Sequence, residues 1–170
     1  LLDFSNIIVG SIMVAHRIPN DEKTSEDFIR HLVLNSMRNY RIKYKDKYGE
    51  LVVCTDMHSS WRKQEYQYYK AHRKVKREKQ KSEGMDWSSL FQTINTIIHE
   101  IDEFFPYKVI SIPHAEGDDV IAVLARNLPE KSIIISSDKD FTQLQKYKNI
   151  KQFSPIQKKM VAISDPYKYL

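Results

Sequence analysis

A single cysteine, Cys54, leaves this 170-residue chain no internal disulfide. It sits in the apolar run 51–55, which points to a buried thiol in a reducing compartment. The six histidines show no ligand spacing with it, which argues against zinc; His58 and His114, close to acidic residues in the chain, read as packing or surface groups. Hydrophobic runs are short. None approaches the roughly 20 residues that a membrane span needs, and no signal peptide is visible. These absences place the chain in the cytoplasm and away from membranes. There is no defensible Ser-His-Asp or Cys-His arrangement, no internal repeat and no low-complexity tract. An initiator methionine is also missing: the chain opens at Leu1, two residues before Asp3, and reads as a trimmed protein.

What is present is ordinary in amount and unusual in placement. Hydrophobic residues make up 41% and charged residues 29%, enough for one core-bearing domain over 1–170. The net charge of +5 favours anionic partners. Acids and cations are segregated along the chain.

Residues 1–4 read as a short strand, with Ser5 capping an apolar helix through Ile7, Ile8, Ile12 and Met13. Residues 18–23 read as a loop. Thr24 and Asp27 form a capping pattern before a helix that carries Phe28, Leu32, Val33, Met37 and Tyr40 at helical spacing, and Gly49 stops it. Residues 50–55, 107–112, 132–136, 150–153 and 160–163 read as strands. Helices are predicted from Trp87 to a stop at Pro106, from about Ala115, and over 140–145. Strands alternating with helices predict an α/β fold with a mostly parallel sheet, of which 132–136 is a central strand because it is apolar on both faces.

Asp3, Asp56 and Asp138 each follow a predicted strand, while Glu116, Asp118 and Asp119 open a helix after another; Asp140 is close behind Asp138. Parallel strands deliver their C-terminal ends to one edge, where ligands of α/β proteins bind. Any one of these acids is more simply a turn former, a cap or a complement to a helix dipole. Taken together, seven carboxylates at one edge require neutralisation, and hard divalent cations supply it with oxygen ligands. Two such ions are a common solution for phosphodiester hydrolysis without a side-chain nucleophile.

Directly after Asp56 comes a basic segment, about 57–86, containing Arg62, Lys63, Lys70, Arg73, Lys74, Lys76 and Arg77 with Trp61, Tyr66, Tyr68 and Tyr69 interleaved. A solvated loop is the bland reading. The aromatics favour a mobile helical arch that guides a nucleic-acid strand by stacking and phosphate contacts. Lys70 and Arg73, three apart, are expected on one helix face, holding the scissile phosphate.

The landmarks Leu2-Asp3-Phe4-Ser5, Val53-Cys54-Thr55-Asp56, Trp61-Arg62, Tyr68-Tyr69-Lys70 with Arg73, Glu116-Gly117-Asp118-Asp119, and the run from Ile135 to Leu144 resemble the 5′-nuclease family. That family includes flap endonucleases, the 5′-exonuclease domains of bacterial DNA polymerases and phage 5′-3′ exonucleases. The resemblance implies a three-layer, PIN-like α/β core. It implies two Mg2+ or Mn2+ ions, with Asp3, Asp56, Glu116 and Asp118 mainly at the first and Asp119, Asp138 and Asp140 at the shared or second site. It implies cleavage of DNA and RNA–DNA hybrids at 5′ ends or flaps, as in primer removal during replication by a monomer, with a replication clamp or single-strand-binding protein as possible partner and host-cell cytoplasm as the location of a phage-encoded example. Asp118 and Asp138 would be catalytic together with Lys70 and Arg73, and Tyr69 would offer a stacking face. Gly117 stands where the family commonly has alanine, and the family's glycine-rich helix-hairpin-helix is expected beyond Leu170.

Two other readings remain open from the residues. A nucleic-acid-binding fragment with incomplete sites is one. The other is a phosphatase of the haloacid-dehalogenase type, suggested by Asp138-Lys139-Asp140-Phe141-Thr142, although that motif should open its domain and here comes late.

Overall fold

The computed structural model describes residues 1–17, 25–57, 60–73, 75, 77–78 and 86–166. The expected loop at 18–23, the Thr24 cap, His58, Lys74 and Lys76 lie outside the described residues. A six-stranded sheet, ordered β3-β2-β1-β4-β5-β6, organises the rest. Its strands are β1 (Leu2–Asp3), β2 (Val52–Thr55), β3 (Lys108–Ser111), β4 (Ser132–Ile135), β5 (Ile150–Ser154) and β6 (Lys159–Val161). All neighbours pair in parallel except β6, which runs antiparallel to β5. The two-residue β1 lies between β2 and β4, with Leu2 facing Val53 on one side and Ile135 on the other.

β4 shows why this chain makes a three-layer fold. Ile133 and Ile135 join a core with residues of α1 (Phe4–Arg17), α2 (Glu26–Tyr48) and α4 (Trp87–Phe104). Ile134 points the other way, packing with Val120 and Ile121 of α5 (Gly117–Asn127) and Phe141 of a 3-10 helix (Lys139–Lys146). Successive strand residues face opposite sides, so an apolar run needs helices on both. The short α3 (Trp61–Glu65) belongs to neither layer and buries none of its residues.

Local signals set the element ends, with two corrections. Ser5 does not cap α1: the helix starts at Phe4, Asp3 accepts the Asn6 amide at 3.0 Å, and the Ser5 hydroxyl instead donates to Asp56 at 2.7 Å. The cap of α2 is Ser25, which accepts from the Phe28 amide, one residue beyond the expected position. Gly49, at φ 75°, ends α2 as expected and donates its amide to the Lys45 carbonyl.

Candidate active site

The strand order brings the ends of β1, β2 and β4 side by side, and with them Asp3, Asp56 and Asp138. Asp118 enters this group from the first turn of α5, which follows β3. Burial, followed by the charges of Asp3, Asp138 and Asp56, pushes the Asp118 carboxyl up to about 7. Asp3 is likewise raised, first by burial, while the hydroxyl of Ser136 and the amide of Asn6 oppose the shift and Asp56 and Asp138 add to it. Four carboxylates therefore share one field. Among the described residues, no hydrogen bond is made to the carboxylate of Asp118.

The other three are held from behind. Asp3 accepts the Ser136 hydroxyl at 2.6 Å. Asp56 accepts the Gly117 amide at 2.6 Å as well as the Ser5 hydroxyl. A Cβ on Gly117 would sit 3.2 Å from Asp56 Oδ1 and 3.3 Å from the Cys54 carbonyl, so the absence of a side chain lets α5 start this close to β2. Asp138 caps the 3-10 helix, accepting the Asp140 amide at 2.9 Å. Cys54, just beneath, has its thiol pushed up to about 12 by burial, so it contributes no thiolate.

The remaining acids depart from the expected single cluster. Asp119 accepts both arms of the Arg62 guanidinium, each at 2.7 Å, the Trp61 indole N–H at 3.3 Å and the Glu116 amide at 3.0 Å. Four donors converge on one carboxylate, three of them on Oδ2. Arg62 thereby holds Asp119 below its ordinary carboxylate value. Glu116 accepts from Lys70 Nζ at 3.0 Å, from the Tyr69 hydroxyl at 2.9 Å and from Arg62 at 3.2 Å. Burial opposes its ionisation, but these partners prevail and its carboxyl is lowered. Asp140 is exposed.

The basic segment thus docks on the acids through its base. Lys70 lies in a turn at φ 56°, not on a helix shared with Arg73, and this left-handed backbone accompanies a side chain turned to Glu116. Arg73 and Lys63 are exposed. Arg62 also lies over the rings of Trp61 and Tyr69. Arg77 rests on Trp87 and Phe91 at the start of α4, so its guanidinium is packed as well as charged. Sequence spacing missed these pairings, and it missed Ser136, Ser5 and the strand residue Gln152, whose side chain reaches the Asp138 carbonyl.

Among the described residues, no three His, Cys, Asp or Glu side chains are grouped tightly enough to hold an ion as they stand. The donor chemistry of the quartet nevertheless fits a hard cation. It is all oxygen, and a bound cation would offset both the burial that first raises Asp118 and Asp3 and the neighbouring charges that add to it.

A mostly parallel sheet between two helical layers defines a resolvase-like, PIN-type domain. The chain belongs to the family of 5′-3′ exonuclease N-terminal resolvase-like domains, which it matches over residues 14–168. It is 40% identical to ribonuclease H of Enterobacteria phage T4 over 169 residues, 96% of this chain and 54% of that protein. It is 31% identical to a 5′-3′ exonuclease of Buchnera aphidicola over 116 residues, 66% of this chain and 34% of that one. The chain therefore spans about half or less of the length of these relatives. Its fold matches phage T5 5′-exonuclease with bound zinc at a TM-score of 0.70 and 16% identity, covering 99% of this chain and 59% of that one. It matches a T5 flap endonuclease pseudo-enzyme–product complex with DNA and metal ions at 0.70 and 18%, covering 99% and 58%. The family removes the phosphatase reading; Asp138 follows the fourth strand in chain order rather than the first.

Proposed function

We propose that the chain is the catalytic core of a divalent-metal-dependent 5′-3′ exonuclease and flap endonuclease. Its substrates are DNA and RNA–DNA hybrids with 5′ ends or flaps, including primers left by replication. The observation that carries this is Asp118, a half-buried carboxyl pressed by Asp3, Asp56 and Asp138 at one sheet edge. In this reading Asp3, Asp56, Asp118 and Asp138 are the principal ligands of Mg2+ or Mn2+, with Asp140 reachable at the rim. Divalent ions held by these residues would supply activation of the attacking water and neutralisation of the leaving oxygen.

The chain's own residues bring the phosphate to that place. Lys70 sits beside Glu116 and its charge is felt at Asp118, so its ammonium is positioned to meet a phosphodiester approaching the quartet. Arg73 stands exposed near Lys70, whose proton affinity its charge opposes. Tyr66 and Tyr68, 60% and 63% exposed, offer rings to unpaired bases. Arg62 serves another purpose: with Glu116 and Asp119 it fastens the basic segment to α5. A monomer in the cytoplasm, working beside a clamp or single-strand-binding protein, fits such a role in replication.

The test is incubation with a 5′-labelled flap and an RNA–DNA hybrid, in manganese and then with chelator. Short 5′ products that vanish in Asp118→Asn and Asp138→Asn are expected. Unchanged hydrolysis by either variant refutes the assignment of the quartet. Salt-dependent binding without any cleavage would instead support the binding-fragment reading.

A further inference from the structure

Gln152 is a polar residue on β5 that is only 1% exposed. Its Nε2 donates to two main-chain carbonyls two residues apart, Ser136 at 3.1 Å and Asp138 at 2.7 Å. The β4–β5 ladder runs as far as Ile135 opposite Phe153, with the Ser136 amide donating to the Phe153 carbonyl at 3.1 Å. Beyond that point the chain leaves the sheet, and the Gln152 side chain takes over from the ladder. It holds the loop that carries Asp138.

The same loop is tied to Asp3 on its other side. The Ser136 hydroxyl donates to Asp3 at 2.6 Å and accepts the Asp138 amide at 3.1 Å. One hydroxyl therefore sets the spacing between two carboxylates, and Gln152 fixes the backbone from which that hydroxyl and Asp138 both hang.

Gln152 Oε1 is buried and has no partner among the described residues. Turning the amide over would place that oxygen against two carbonyls, so the orientation is determined by the neighbours. A buried polar atom without a partner is a cost to the fold. The two bonds that this side chain does make both go to the loop that bears Asp138. We propose that Gln152 is a positioning residue, retained to hold Asp138 in register with Asp3 for cation binding. This rests on the assignment of Asp3 and Asp138 as ligands.

The experiment compares Gln152→Met with the unaltered chain. Methionine keeps the volume and removes both the two hydrogen bonds and the unpartnered oxygen. Calorimetric titration with Mn2+ in the absence of nucleic acid is expected to show affinity lowered about 10-fold or more, in the range known for groups that orient metal ligands. The melting temperature of the metal-free chain should stay within a few degrees. In cleavage assays kcat should fall with KM for the flap unchanged, and raised metal concentration should restore the rate. Gln152→Asn, which keeps the amide but cannot reach as far, should show the same loss and guards against a packing artefact of methionine. Equal Mn2+ affinity in Gln152→Met and the unaltered chain overturns the inference while leaving the nuclease reading intact. Failure of the unaltered chain to bind Mn2+ at all overturns both.

Discussion

Replacing Asp118 by asparagine should make the metal-free chain more stable while destroying its activity. The folded carboxyl is pushed from an ordinary 3.8 to about 7, by burial first and then by Asp3, Asp138 and Asp56. At 1.36 kcal/mol per factor of ten, that difference sets an upper bound of about 4 kcal/mol. Asp118 is only half-buried, so solvent screening brings the expected gain to about 1–2 kcal/mol. The sign follows from linkage. A raised carboxyl binds its proton more tightly in the folded state, so its contribution is intact below pH 3.8 and lost as pH rises toward 7. Asparagine has no proton to lose. For a chain of this size the Asp118→Asn variant should melt about 2–8 °C higher at pH 8 in chelator, and the gap should close near pH 4. Magnesium should also narrow it at pH 8, because a cation stabilises only the state that binds it. Thermal melts monitored by circular dichroism at the two pH values decide the matter. Equal melting at pH 8, or a gap that does not change with pH, would show that these four carboxylates do not share one field.

Further expectations concern the surroundings of the quartet. Lys70→Ala should slow cleavage far more than it weakens substrate binding, measured by single-turnover rates against equilibrium binding; a pure binding defect contradicts phosphate positioning. Arg62→Ala strips the cation from Asp119, while Lys70 still pairs with Glu116, and should cost about 1–2 kcal/mol in denaturant melts, discounted for partial exposure. Lysine at that position should not restore it, since the fork that meets both oxygens of Asp119 is lost. In Gly117→Ala, at the first residue of α5, a small helix-propensity gain meets a Cβ placed 3.2 Å from Asp56 and 3.3 Å from the Cys54 carbonyl, and melting should move by only a few degrees. Cys54, whose thiol burial pushes up to about 12, should resist a thiol reagent at pH 8 until the chain is unfolded; immediate labelling would place it elsewhere.

Several parts of this protein follow from the chain alone. The Ser-Ile-Ile-Ile run of β4, apolar on both faces, reads as a central strand covered on each side. Strands alternating with helices along the chain add the parallel arrangement, and with it an edge where Asp3, Asp56 and Asp138 emerge together. Gln152 was also within reach, since it is two residues from the buried Ile150 on the same strand and therefore shares its face. Tertiary structure alone decided how the seven acids divide. Arg62, Lys70 and Tyr69 meet Glu116 and Asp119 across 46 to 57 positions of sequence, and no local spacing encodes such a meeting. Which carboxylate is neutralised by a neighbour and which is left for a cation depends on distances through space. Periodicity specifies the face on which a side chain lies, but only the packed chain brings charges close enough to change one another.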